Sequence, residues 1–199
     1  MTERVIEANL LSVDDLVKLG DARFEIIHEE LIEMAAVGVT HQLIARNVQR
    51  VIDPYISSRN LGEVFADGFT YLMFSDARGL KASFIPDVSF IRAENILKLV
   101  DPTRPYPGIP DLAVEVVSPG DDADQLMLKV RTYLEKGTEQ VWILYQTVRE
   151  VHQYRLDQNP PVRIYRGAES LDLETLFPGL LLTPEMIFEL PAWANVKSE

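Results

Sequence analysis

A glutamate in the middle of an apolar strand limits every fold open to this chain. The run Asp111-Leu112-Ala113-Val114-Glu115-Val116-Val117 is short, rich in β-branched residues and bounded by Pro110 and Pro119, which is how a strand is punctuated. Period-two alternation puts Leu112, Val114 and Val116 on one face and Asp111, Ala113, Glu115 and Val117 on the other. A charge set among apolar neighbours is costly unless it is compensated, so Glu115 must be protonated, paired with a cation or bound to a metal.

The rest of the chain supplies the elements around this strand. Residues 11–20 carry a cap at Ser12, an acidic first turn and a closing glycine, the punctuation of a short helix. Residues 24–34 (FEIIHEELIEM) form a hairpin around His28-Glu29-Glu30. From Thr40, a candidate cap, Leu43, Ile44, Val48, Val51, Ile52 and Ile56 recur at helical spacing, with Pro54 placed to bend or shorten the helix. Between 63 and 91 the pattern is strand-like, in EVFADGFTYLMF and FIPDVSFI on either side of the turn SDARG. A helix follows the Glu115 strand, with Leu126, Val130, Tyr133 and Leu134 on one face and Gly137 as its stop. VWILY, EVHQYR and VRIYR are further strands. The expected fold is α/β (α+β): a mixed sheet flanked by helices, in one domain over 1–199, with a core at about 10–155 and C-terminal strands and an irregular tail over 156–199.

Composition narrows the chemistry. The chain has 199 residues, 47% of them hydrophobic, and no cysteine, so metal chemistry must use oxygen or imidazole. The acidic, charge-interrupted N-terminus points to a cytoplasmic protein, and no apolar stretch approaches the roughly 18 residues of a membrane span. The formal charge of −12 opposes tight non-specific binding to nucleic acid, which depends on lysine and arginine displacing phosphate counterions.

Two segments repeat a theme, Ile85-Pro86-Asp87-Val88 and Ile109-Pro110-Asp111-Leu112. Asp111 faces the same way as Glu115, but four extended residues separate them by roughly 13 Å, too far to share one ion with ligands at about 2.1 Å. Asp111 is then a weaker ligand candidate, and it also suits a turn-type hydrogen bond to nearby backbone. Asp87 comes within reach of Glu115 if their strands are neighbours in suitable register. Lys129, at the edge of its helix's apolar stripe, can reach back toward the sheet or simply snorkel. Asp87 and Glu115 holding Mg2+ or Mn2+, with Lys129 assisting, form a minimal apparatus for phosphodiester hydrolysis. His41, at the head of the first long helix, is a further candidate or a packing residue. Glu25, Glu30 and Glu33 are solvated charges or one additional ligand, and Glu33 joins the accessory candidates.

The run PDLAVEVVSPGDDADQLMLKVRTYLEKGTEQVWIL, preceded by PDVSFI and by FEIIHEELIEM with a helix opening at His41, resembles the bacterial Uma family of restriction endonucleases over roughly residues 10 to 155. That family belongs to the PD-(D/E)XK nuclease superfamily, so the resemblance implies Asp87 and Glu115 as the two acids. The superfamily's lysine commonly lies two residues beyond the second acid, which here is Val117; relatives supply it from the following helix, which corresponds to Lys129. Glu29 stands where relatives carry glycine, GTEQVW replaces a GVPEYW-like stretch, and Tyr145 replaces a common aspartate.

Two functions are open on these grounds. One is a Mg2+-dependent endonuclease acting on DNA, a hydrolase working as a homo-oligomer. The other is a non-catalytic protein-interaction module that retains the fold as a homodimer and uses its acidic surface; an acidic surface without a basic groove near the pair would favour it.

Overall fold

The strands divide between two sheets, and one helix packs where the faces of both meet. The computed structural model describes residues 6–7, 12–18 and 23–194. In chain order the elements are β1 (Ile6–Glu7), α1 (Val13–Lys18), β2 (Phe24–Ile27), β3 (Glu30–Glu33), α2 (Val39–Ser57), β4 (Gly62–Ala66), β5 (Tyr71–Asp76), β6 (Gly79–Phe84) and β7 (Val88–Arg92). They continue with α3 (Ala93–Ile96), β8 (Leu112–Val117), α4 (Ala123–Lys136), β9 (Gln140–Tyr145), β10 (Glu150–Tyr154), β11 (Val162–Arg166) and α5 (Pro184–Ile187). One sheet has the order β1-β3-β2-β6-β5 and the other β11-β10-β9-β8-β7-β4. The β8–β9 pair is parallel. Parallel neighbours need a crossover, and α4 provides it.

Local chemistry explains most boundaries. Ser12 and Asp15 exchange hydrogen bonds across the start of α1, an arrangement that satisfies exposed helix-end donors. The glycine expected to end that helix, Gly20, lies outside the described residues. The β2–β3 hairpin turns on His28 and Glu29 at φ 50° and 65°, the left-handed pair that a two-residue turn between twisted strands requires. Helix α2 starts at Val39 with Gly38 in the cap position, so Thr40 lies inside the first turn rather than capping it. Pro54 does not end the helix, which runs on to Ser57. Asp122 caps α4 by accepting from the Gln125 N–H at 2.9 Å, and Gly137 closes it at φ 109°.

Alternation sorts the core. On the second sheet Val88, Phe90, Leu112, Val114, Val116, Trp142 and Leu144 pack against Ile44, Val48, Ile52 and Ile56 of α2. Ile91, Ala113, Val141 and Ile143, on the opposite face, join Val130, Tyr133 and Leu134 of α4 and also Ile27, Ile32 and Phe84 of the first sheet. The first sheet's other face gathers Ile26, Leu31 and Leu80, with Leu16 of α1 against them. The C-terminal segment is more than a tail: Leu171, Leu173, Leu176, Phe177, Leu182, Ile187 and Phe188 are buried in the α2-side core. Asn47 of α2 also donates to the carbonyls of Ile187 and Glu189 at 3.0 and 2.6 Å. Among the described residues, no helix is long and apolar enough to cross a membrane.

Candidate active site

Glu115 sits in β8 on the face turned to α4, because its strand neighbours Ala113 and Val117 share that side. On α4, Lys129 and Tyr133 are one turn apart and so project from the same face. Both reach the same carboxylate oxygen: Lys129 Nζ lies 2.8 Å from Glu115 Oε1, and the Tyr133 hydroxyl donates to that atom at 3.0 Å. Lys129 Nζ lies equally close, 2.8 Å, to Glu25 Oε1. Glu25 comes from β2 in the other sheet, and its Oε1 also accepts from the Ile85 N–H at 2.7 Å.

Asp87 occupies the bend immediately before β7. The antiparallel β7–β8 register pairs Val88 with Val114. The Asp87 N–H donates to the Val114 carbonyl at 3.1 Å, and its Oδ2 accepts from the Val116 N–H at 2.7 Å. Asp87 thereby clasps the β8 backbone on both sides of Glu115, and β7 and β8 are the neighbours that its reach toward Glu115 required. His41, in the first turn of α2, places Nε2 3.2 Å from the same Oδ2.

All five charged groups are 4 to 7% exposed, so their charges must be settled among themselves. Burial pushes Glu115 up to about 8; Lys129 opposes that shift, while the nearby charges of Glu25 and Asp87 add to it. One ammonium shared by two carboxylates cannot neutralise both, which is why pairing does not restore an ordinary acid at Glu115. Burial favours a neutral Lys129, but Glu115 and Glu25 outweigh it and hold the side chain charged above the usual lysine range. Burial, followed by the charge of Glu115, keeps Tyr133 a phenol well above its ordinary value. At His41 burial disfavours the charged ring, but the Asp87 contact outweighs it and the net shift is upward. Its Nδ1 is buried and meets no partner with hydrogen-bond geometry among the described residues, although the Val116 backbone beside the ring favours the charged form.

Two accessory candidates lie elsewhere. Asp111 is at the far end of β8, where it accepts from the Arg92 N–H at 2.8 Å and from Asn95 Nδ2 at 3.1 Å; its role there is to tie β8 to α3. Glu33 pairs across the hairpin with Phe24, so it shares the face opposite to Glu25 and is exposed. Glu25, not Glu33, is the hairpin glutamate that reaches Lys129. The signal for Glu25 was the one that identified Glu115, a carboxylate between apolar residues of a strand. Among the described residues no group of three or more His, Cys, Asp or Glu side chains is arranged as a metal-holding set.

A cleft of about 420 Å³ opens beside Asp87, between the start of α2 and the end of β4. Its walls include Gly38, Gln42, Arg46, Gln49 and Asp67. Arg46 is exposed and makes no ion pair among the described residues, whereas Asp67 is engaged by Arg23 and Gln42.

No functionally curated protein is detectably similar to the chain. Among solved structures, a protein of Anabaena variabilis ATCC 29413 described as a "putative nuclease belonging to DUF820" superposes with a TM-score of 0.75. The match covers 89% of this chain and 97% of that one at 17% identity, a likeness of fold that agrees with the restriction-endonuclease-like architecture expected above. The model of the Uma2 family, described as "Putative restriction endonuclease", matches residues 13–185. That span contains Glu25, His41, Asp87, Glu115, Lys129 and every strand of both sheets except β1, and the chain belongs to the Uma2 family.

Proposed function

We propose that the protein is a Mg2+- or Mn2+-dependent endonuclease that hydrolyses DNA phosphodiester bonds, with Asp87 and Glu115 as the ion's ligands and Lys129 assisting. The observation that carries this reading is the junction itself: Asp87 clasps β8 around Glu115, while Lys129 stands 2.8 Å from that acid. The donors suit a hard divalent cation in kind, because they are carboxylate oxygens in excess over the available cations. Asp87 Oδ1 and Glu115 Oε2 accept no hydrogen bond among the described residues. Mg2+ commonly uses one or two carboxylates together with water and substrate phosphate. When bound, such an ion supplies Lewis-acid polarisation of the phosphate and a bound water of lowered pKa.

The chain's own groups divide the remaining tasks. Lys129 keeps its proton and so acts as a fixed positive charge beside oxygens that gain negative charge, rather than as a base. Tyr133, also protonated, holds Oε1 of Glu115 by donating to it. His41 and the Val116 N–H hold Oδ2 of Asp87. Arg46, which lines the same cleft as Asp87, offers the DNA backbone a cation that makes no ion pair among the described residues. This supports nucleic-acid access despite the overall acidity.

The test is incubation with supercoiled plasmid and Mg2+ or Mn2+. Wild type is expected to nick it, and Asp87→Asn to lose about a hundredfold or more in rate, the scale of removing one charge-stabilising group. Circular dichroism checks that the variant is folded. The charge of −12 favours the second reading, a non-catalytic homodimeric interaction module, and a folded wild type that leaves plasmid intact would turn the argument that way.

A further inference from the structure

We propose that Glu25 is a positioning residue of this site, holding both Lys129 and the segment that carries Asp87 in their working arrangement. The proposal rests on the nuclease reading. Glu25 is contributed by the first sheet, whereas Glu115 belongs to the second and Asp87 leads into it. Its Oε1 accepts from two donors, Lys129 Nζ at 2.8 Å and the Ile85 N–H at 2.7 Å.

Each contact has a separate consequence. Ile85 lies two residues before Asp87, so the second bond anchors the Ile85-Pro86-Asp87 approach to β7. A buried N–H at this point needs an acceptor, and Glu25 provides it. The first bond sets the lysine's place. Lys129 Nζ is 2.8 Å from Glu25 and 2.8 Å from Glu115, with the Phe84 ring centre 5.6 Å away. Without the Glu25 charge the ammonium would leave its place between the two acids. Glu25 therefore fixes where the lysine's charge stands, without itself touching the ion. Its aim is set by the hairpin, since the Glu25–Ile32 register turns both side chains toward α4.

The experiment compares wild type, Glu25→Gln and Asp87→Asn in plasmid nicking and in Mn2+ binding by calorimetry. The glutamine keeps an oxygen able to accept from Ile85 and Lys129 but removes the charge. Glu25→Gln should lower kcat by about tenfold to a hundredfold, the range for partners that orient an active group, with KM for plasmid within about twofold. Its Mn2+ affinity should stay near that of wild type while Asp87→Asn loses binding. If thermal melting shows Glu25→Gln to be unfolded, Glu25→Asp, which retains the charge but is one methylene short of Lys129, carries the same comparison. Wild-type kcat in the folded variant would overturn the role. Loss of Mn2+ binding equal to that of Asp87→Asn would also overturn it, by making Glu25 a ligand instead. Failure of wild type itself to nick would reject the nuclease reading, and this role with it.

Discussion

Burial dominates the surroundings of Glu115 and raises its pKa in the ion-free protein, with Lys129 opposing and two further acids adding to the effect. Its pKa of about 8 in the folded chain exceeds the ordinary 4.5, so the native state holds this proton more tightly than the unfolded chain does. The associated stability is complete below the lower value and is lost as pH rises through the higher one. His41 is shifted upward as well, which gives the same sign. The melting temperature of the ion-free protein should therefore fall between roughly pH 5 and 8. Glu115→Gln cannot ionise and should show a shallower fall; equal slopes for the two proteins would mean that Glu115 does not titrate in this window. At this scale much was legible from sequence, because a carboxylate inside an apolar strand declares an electrostatic debt wherever it occurs. Glu115 followed from that reasoning, Asp87 from the repeated Pro-Asp segments, and Lys129 from its place at the edge of its helix's apolar stripe. What Glu25 and Tyr133 do was hidden, since their contacts depend on which strands pair and how α4 is rotated.

Among the elements, α4 matters most, because it crosses from β8 to β9 and presents Lys129 and Tyr133 to the junction. Its length is set by Asp122 at the start and Gly137 at the end. Gly137 adopts φ 109°, and a Cβ there would meet Ile109 Cδ1 at 3.2 Å. Gly137→Ala should cost about 1–2 kcal/mol, the penalty of a left-handed conformation for a residue with a side chain, read as a lower urea midpoint. An unchanged midpoint would show that the helix end relaxes without strain. Helix punctuation of this kind was readable from residue types, as was the hairpin at His28-Glu29. Thr40 was misplaced as a cap because Gly38 offers no side-chain signal. The division into two sheets could not be read either, since strand periodicity reports which face is buried but not which strand lies beside it.

At the level of the whole molecule, the two sheets bring acids distant in sequence to a single lysine, and α2 sets a cleft with Arg46 beside Asp87. The C-terminal segment completes the core under α2, although its residues follow neither helical nor strand periodicity. Gln140, Gln153 and Tyr165 tie it down internally: Gln153 Nε2 donates to Gln140 Oε1 at 2.7 Å and to the Asp172 carbonyl at 2.7 Å, while Tyr165 donates to Gln153 at 2.9 Å. Such a satisfied buried network fixes one arrangement of the chain. The assembly as a whole places a surplus of buried carboxylates where one divalent ion would offset them. Calorimetric titration of wild type and Asp87→Asn with Mn2+ examines that directly. Saturable binding by wild type, absent in the folded variant, is the predicted result; no binding by either protein, or equal binding by both, would contradict the assignment of Asp87 and Glu115 as an ion-holding pair.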